Sequence, residues 1–300
     1  MTPLPRYRGR FAPSPSGPLH AGSLLAALGS WLLARQAGGD WLVRIEDLDP
    51  PREMPGAAQR QLATLEAFGL VPDATVAYQS QRGMLYRRTL ERLLAQDLAF
   101  ECHCSRRDLA ASAGIHRRCV PRRARPDPAI RLRVPDGTKL GFVDAIHGRL
   151  VQQVDREVGD FVLRRTDGFW AYQLAVVADD ADQGITHVVR GADLLDSTPR
   201  QILLQRALGL PTPAYAHLPL LFDAQGRKLS KSDAARPVDT NAPLPTLRML
   251  WASLGQRPME AEFTAPAHFL AAAIDRFELA RVPASRASAA LHNRRATDPD

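Results

Sequence analysis

Residues 10–23 read RFAPSPSGPLHAGS, and the interpretation of this stretch decides the fold. The run before it, residues 7–11, is short and partly apolar, and three prolines and a glycine then prevent regular structure until His20. From Gly22 onward Leu24, Leu25, Leu28, Trp31 and Leu32 recur at helical spacing, and Gly38 and Gly39 supply the stop. Ser14, Ser16, His20 and Ser23 gather where a helix start offers free N–H groups and the positive end of its dipole, so the stretch reads as a site for an anion such as a triphosphate. Beyond the stop, residues 41–45 read as a buried strand delivering Glu46, Asp47 and Asp49 at its C-terminal end. Strand, loop, helix and strand form a βαβ unit, whose right-handed crossover sets that acidic cluster beside the phosphate loop. An ordinary βαβ unit with a proline-rich connection is the competing reading.

The 300 residues are 45% hydrophobic and 24% charged, which suits one large or two smaller globular domains. The N-terminus, MTPLPRYRGR, has no apolar signal core, and no apolar run approaches the length needed to span a bilayer, so a cytoplasmic protein without a membrane partner is expected. Lys and Arg outnumber Asp and Glu by 39 to 32, a net charge of +7 that suits a polyanionic partner without identifying one. Three cysteines, two of them spaced Cys102-x-Cys104, argue against a disulfide framework and for a metal site.

Two amphipathic helical patterns cover residues 57–68 and 84–99, with a short extended run at 76–78 between them. From Cys102 the composition changes. CHCSRRDLAASAGIHRRC offers Cys102, Cys104, His116 and Cys119, a donor set matched to a closed tetrahedral Zn²⁺ site, with His103 competing for the imidazole role. One structural Zn²⁺ would tie together a segment too short and too arginine-rich to build its own core. Seven arginines and a single acid, Asp127, fall between Arg117 and Arg133. Such a run can follow a phosphate backbone, or be a solvated basic loop. Residues 130–134, 141–146 and 161–165 read as strands of one small antiparallel region, and a helix is expected over 170–180. A β-branched strand at 186–189 ends in Arg190, a helix follows over 198–208, and further helices are expected near 244–254 and 267–279.

FAPSPSGPLHAGS resembles the first signature of class I aminoacyl-tRNA synthetases, in the form used by the glutamyl and glutaminyl branch, and residues 228–232, KLSKS, resemble the second. The pair is far more specific than either alone. DFVLRRTDG, YQLAVVADD, GITHVVRGADLL and RQILLQRALG are similar to the same branch, so the resemblance extends over roughly residues 7–235. It implies an α/β fold: a Rossmann-like parallel sheet split by a zinc-containing insertion, with a short helical C-terminal extension. Residues 1–100 and 159–222 would be the two halves of the catalytic domain, 101–158 the insertion, and 223–300 the KLSKS loop and extension.

The resemblance also implies site roles. His20 and Lys231 would stabilise charge on the phosphates of Mg·ATP, with Pro13, Ser14, Gly22, Ser23, Lys228 and Ser230 completing the nucleotide site. Ser23 stands where the family has a second histidine, a neutral donor that cannot carry charge. Arg10, Ser14, Glu46, Tyr172 and Arg190 would line an L-glutamate pocket together with Phe11, Ala12 and Pro13, with an arginine on a carboxylate and Glu46 facing the ammonium. Arg190 would select an acidic side chain over an amide. Tyr172 as a core residue and Glu46 as a surface acid remain open.

Only 68 residues follow Ser232, where longer members of the branch carry an anticodon-reading region. That resembles the shortened members that place glutamate on the modified base queuosine in the anticodon of tRNA(Asp), and implies a monomer that binds the anticodon stem-loop. A minimal synthetase charging an ordinary tRNA 3′ end and a catalytically silent tRNA-binding protein are the alternatives.

Overall fold

The computed structural model describes residues 6–222 and 237–284, together with the backbone of 292–293; the KLSKS residues Lys228, Ser230 and Lys231 lie outside the described residues. The chain begins β1 (Arg8–Phe11), α1 (Ala21–Gln36), β2 (Asp40–Ile45), α2 (Ala57–Ala67), β3 (Ala77–Tyr78) and α3 (Gly83–Ala95). It continues through β4 (Ala99–Cys102), β5 (Ala129–Leu132), β6 (Lys139–Asp144), β7 (Gly148–Gln153), the single turn α4 (Val154–Glu157) and β8 (Phe161–Arg164). Then come α5 (Tyr172–Asp182), β9 (His187–Gly191), α6 (Thr198–Ala207), β10 (Ala214–Leu218), α7 (Pro243–Ser253), α8 (Pro266–Arg276) and β11 (His292–Asn293).

β2 pairs in parallel with β1 and with β3, and β10 pairs in parallel with β9 in a register running from Ala214↔His187 to Leu218↔Gly191. The two groups meet where the Thr186 N–H donates to Arg8 O at 3.0 Å and the Arg8 N–H to Thr186 Oγ1 at 2.8 Å. The parallel order is therefore β3-β2-β1-β9-β10. Strand order reverses between β1 and β9, and an open sheet leaves a crevice outside the carboxyl ends at such a point. β6 joins the far side of β10 in parallel at Tyr215↔Asp144, and β7 and β11 extend that edge antiparallel.

Both faces of the sheet are covered, which is why its strands read as nearly continuous apolar runs. Trp41 and Val43 face a core built with α1, α7 and α8, containing Leu24, Leu28, Trp251 and Phe269. Leu42, alternating between them, faces a core built with α3, α5 and α6, containing Tyr86, Val176 and Ile202. α1 lies close on the sheet because position 29 is glycine: a Cβ there would sit 2.5 Å from Leu218 Cδ1. No helix among the described residues is long and apolar enough to cross a membrane.

Two sequence expectations change. The helical pattern over 84–99 stops at Ala95, because Asp97 takes a left-handed φ of 54° and turns the chain into β4. The separate antiparallel sheet is β4-β5-β8, while the strand expected at 141–146 is β6 of the main sheet. Alternation of apolar residues fixes which face of a strand is buried, not which sheet it joins.

Candidate active site and metal centre

A cleft of about 560 Å³ opens where β1 and β9 part. Arg10, Phe11, Ala12, Pro13 and Ser14 enter it from the end of β1, and His20, Gly22 and Ser23 from the start of α1. Glu46 reaches it from just past β2, Tyr172 from the first turn of α5 and Arg190 from β9. Every described residue that the sequence assigned to either small ligand lines this one cavity.

His20 is the N-cap of α1, and its Nδ1 accepts the N–H groups of Gly22 at 3.1 Å and Ser23 at 3.3 Å. An accepting Nδ1 leaves the ring proton on Nε2, 3.1 Å from Ser23 Oγ. The helix start is therefore held by the histidine itself, not left open as the sequence suggested. Gln61, on α2, pins the loop by donating from Nε2 to Ser14 O at 3.0 Å and Gly17 O at 2.7 Å. Pro237 forms a bridge with His20, and the Val238 N–H donates to Leu19 O at 3.2 Å. The chain thus leaves the described region one residue past Leu221, which lines the cleft, and returns against the phosphate loop.

Of the three carboxylates expected beside that loop, only Glu46 lines the cleft. Asp47 accepts from the backbone and hydroxyl of Ser80 at 2.9 and 2.6 Å, and Asp49 pairs with Arg52. Glu46 is held by Arg44 Nη2 at 3.3 Å. Arg44, fully buried, also donates to Asp180 at 2.8 Å and to Gln183 at 2.7 Å. Asp180 takes Arg10 on both oxygens, from Nε and Nη2, each at 3.2 Å. Burial alone would raise the Asp180 pKa, but Arg10 and Arg44 hold it below the usual carboxylate range. For Glu46, burial prevails over the pull of Arg44 and Arg10 and moves its pKa upward. Arg10 thus reaches the cleft already joined to a carboxylate.

Arg190 differs. It is 4% exposed, and each hydrogen bond it makes with the described residues goes to a neutral group. Nε donates to His217 Nε2 at 3.0 Å, Nη1 to Tyr172 Oη at 3.3 Å, and Nη2 to Thr198 Oγ1 at 2.9 Å and Leu194 O at 3.3 Å. Burial keeps the Tyr172 phenol protonated, so its O–H remains a donor. Among the described residues Arg190 forms no ion pair, and a buried cation so placed favours an anionic ligand.

His217 must be neutral to accept from Arg190, and its pKa is lowered from 6.5 to about 4, by burial first and then by the nearby Arg190 and His147 against the opposing Asp144. Between pH 6.5 and about 4 the unfolded chain binds this proton and the folded one does not, so stability is full above that window and falls as pH descends through it. The loss is expected to reach roughly 3 kcal/mol, read as a falling urea midpoint. His217→Gln should flatten that part of the profile, and parallel wild-type and variant curves would remove His217 from the account.

The second cluster lies in the β4-β5-β8 sheet and its loops. Sγ of Cys102, Cys104 and Cys119 and a ring nitrogen of His116 all lie within 4.8 Å of one another. Cys102 Sγ is 3.3 Å from His116 Nε2, about the ligand–ligand spacing of a tetrahedral metal site. Crowding opposes ionisation here: burial first, then the neighbouring thiols, pushes Cys119 up to about 11 and also raises Cys104. A divalent cation is the partner that lets such thiols deprotonate. His103 is outside the cluster, with its Nδ1 accepting the Arg125 N–H at 2.9 Å.

Asp160 orients His116, taking Nδ1 on Oδ2 at 2.8 Å while Oδ1 accepts the Val134 N–H at 2.7 Å. Gly159, at φ 67°, makes room for that arrangement, since a Cβ there would lie 2.2 Å from His116 O. Asp160, Asp180, Arg44, Gln61 and His217 were not recognised from sequence. The available signal was a polar residue inside an otherwise apolar element, as in WLVRI, LAVVADD and YAHLPL.

The chain matches the family described as tRNA synthetases class I (E and Q), catalytic domain, over residues 6–128 and 117–243. A protein of Xanthomonas campestris pv. campestris named glutamyl-Q tRNA(Asp) synthetase is 62% identical over 285 residues, 94% of this chain and 95% of that protein. A protein of the same name from Neisseria meningitidis serogroup C is 54% identical over 290 residues, 92% of this chain and 97% of its own length. The crystal structure of a glutamate tRNA ligase from Elizabethkingia meningosepticum, in complex with its amino acid, matches with a TM-score of 0.76 at 27% identity. That match covers 93% of this chain and 66% of the ligase.

Proposed function

We propose, for a chain that belongs to the class I (E and Q) tRNA synthetase family, that it activates L-glutamate with ATP and transfers it to the queuosine base in the anticodon of tRNA(Asp). The observation carrying the activation step is the cleft in which a helix-start phosphate loop meets a buried arginine whose partners among the described residues are all neutral. The choice of acceptor rests on the names of the relatives that match over nearly their whole length.

In this reading the glutamate α-carboxylate attacks the α-phosphorus of Mg·ATP, the bond to the bridging oxygen breaks, and pyrophosphate leaves. A hydroxyl of the queuosine ring then attacks the adenylate carbonyl, loses its proton, and AMP departs. No protein nucleophile is needed; the chain contributes positioning and electrostatic stabilisation. His20 and Ser23 with Pro13, Ser14 and Gly22 hold the phosphates, and Lys228, Ser230 and Lys231 join them by motif. Leu221, two positions before that segment, lies at the cleft, and Pro237, the first described residue after it, lies against His20, which supports this assignment. Glu46 faces the substrate ammonium, and Arg10 and Arg190 face its carboxylates. Because four donors of Arg190 are already engaged, recognition there is one Nη1–H together with the Tyr172 O–H, not a two-pronged clamp.

The Cys102, Cys104, His116 and Cys119 set fits one structural Zn²⁺, which would brace the base of the arginine-rich segment 117–133 as it follows the tRNA backbone. Residues 1–100 and 159–222 are then the halves of the nucleotide-binding domain, 101–158 the tRNA-facing insertion and 223–300 the KLSKS segment with its helical extension, in a monomer acting in the cytoplasm; the two parts interlock, since β6 and β7 of the insertion pair into the main sheet and β8 pairs with β5 of the smaller one. Metal analysis of protein purified without chelators should find about one Zn²⁺ per chain, and Cys119→Ser should lower it. Asp160→Asn should weaken retention against a competing chelator by about 10- to 100-fold, because the imidazole loses its orienting carboxylate. Metal-free wild-type protein would overturn the zinc assignment.

The test of the main reading is paired. Glutamate-dependent ATP–pyrophosphate exchange should occur, and labelled glutamate should transfer to queuosine-containing tRNA(Asp) and not to the same tRNA lacking queuosine. Transfer to tRNA(Glu) instead would indicate a minimal synthetase. tRNA binding without exchange for any amino acid would indicate a silent binding protein.

A further inference from the structure

Behind Arg190, on the side away from the cleft, lies a buried chain of groups that neither the motifs nor the reaction requires. Asp144, at the end of β6, is 1% exposed. Its Oδ1 accepts the N–H groups of Ile146 and His147 at 3.0 Å and of His217 at 3.3 Å, and its Oδ2 takes His217 Nδ1 at 2.6 Å. The carboxylate cannot turn without losing several bonds. His217 is fully buried on β10, directly across the ladder from Arg190 on β9. Its other nitrogen, Nε2, meets Arg190 Nε at 3.0 Å and Thr198 Oγ1 at 3.2 Å.

A carboxylate on Nδ1 fixes the imidazole tautomer, placing the proton on Nδ1 and leaving Nε2 as an acceptor. That acceptor is what a guanidinium Nε–H requires. Thr198 completes the hold, since its Oγ1 accepts from Arg190 Nη2 and can pass its own proton towards His217 Nε2. With Nε and Nη2 fixed from behind, the planar guanidinium can present only its Nη1 edge, beside Tyr172, to the cleft.

We propose that Asp144 and His217 are positioning residues for glutamate selection: by fixing the imidazole tautomer they lock the guanidinium of Arg190, so that its Nη1–H and the Tyr172 O–H converge on the side-chain carboxylate of the substrate. This rests on the glutamate-activation reading above. The reversed tautomer would aim an N–H at the Arg190 Nε–H, and an imidazolium would add a like charge beside a buried cation. Either displaces the guanidinium and weakens its hold on the substrate carboxylate, a loss of ground-state binding that is read in the KM for glutamate.

The experiment is steady-state ATP–pyrophosphate exchange with the full chain, measuring KM for glutamate, KM for ATP and kcat separately. Asp144→Asn keeps the side-chain volume but can offer an N–H to Nδ1, which reverses the tautomer. It is expected to raise KM for glutamate by roughly 10- to 100-fold, the loss of one hydrogen bond to a charged group. KM for ATP and kcat should change by less than about threefold, since such a KM-specific effect marks lost ground-state binding. His217→Leu, which removes the acceptor without needing Asp144, should act in the same direction, and it decides the matter if Asp144→Asn does not fold.

His217→Gln has no tautomer to choose and keeps an acceptor for Arg190, so Asp144→Asn should have under about threefold further effect on KM for glutamate in the H217Q background, a non-additivity expected of coupled neighbours. Equal losses in both KM values and kcat, or additive effects of the two substitutions, would reduce the pair to ordinary core and overturn the proposal. Absence of exchange in the wild-type protein would instead remove the underlying functional reading.

Discussion

Arg190→Gln is expected to lower kcat/KM for glutamate-dependent ATP–pyrophosphate exchange by roughly 10²- to 10³-fold, the range for deleting one partner of a buried charged hydrogen bond. The size follows from the residue's surroundings. Arg190 is 4% exposed, and among the described residues its hydrogen-bond partners are Tyr172, Thr198, His217 and the Leu194 carbonyl, none of which neutralises it. An incoming carboxylate supplies the missing anion, and the attraction is stronger than in water because the guanidinium is buried. In the variant a side-chain amide meets that carboxylate without charge, so preference for glutamate over glutamine should collapse together with the rate. The check is exchange with both amino acids, alongside a thermal melt to show that the variant is folded. An Arg190→Gln protein that keeps its glutamate KM and still rejects glutamine would mean that another cation, with Arg10 the first to test, does the selecting.

The same contrast explains which parts of the molecule could be read from sequence. Helices α1, α2, α5 and α6 and strands β1, β2 and β9 fell within a few residues of their expected bounds, because each carries its own periodicity and its own glycine or proline stop. The cleft was legible at the level of which residues meet, since strand ends at a switch point converge whatever the side chains do. Its wiring was not. Arg10 was expected to be available to a substrate carboxylate, yet two of its nitrogens bind Asp180, 170 positions away. Asp144 and His217, 73 positions apart, meet only because β6 docks on β10, a pairing that alternation alone does not determine. Buried polar contacts between remote segments leave one mark in a sequence, a charged residue inside an apolar run, and that mark names one partner at a time.

Asp180→Ala tests that wiring and is expected to be the most destabilising single change. Asp180 joins Arg10 on β1 and Arg44 on β2 to α5, and its removal leaves two nearly dry guanidinium groups short of a counter-charge. Breaking a buried ion pair from one side costs about 3–5 kcal/mol, and the loss should reach the upper end here because two cations share the one carboxylate. Glu46 and Asp179 remain near Arg44 at 3.3 and 3.6 Å, so Arg10 bears most of the deficit. With a shift of about 2–4 °C per kcal/mol for a chain of this size, the midpoint should fall by roughly 10 °C or more. The pH dependence provides an independent check. Arg10 and Arg44 hold the folded carboxyl below its unfolded value, so its contribution is complete above the ordinary carboxylate range and is lost only as pH drops through the lowered folded value. The Asp180→Ala deficit should therefore be constant from neutral pH down through the window in which His217 titrates, and shrink only in stronger acid. A deficit under about 1 kcal/mol, the scale of an exposed ion pair, would show that solvent reaches this network, and a deficit that vanished already near pH 6 would point to a histidine in place of this aspartate.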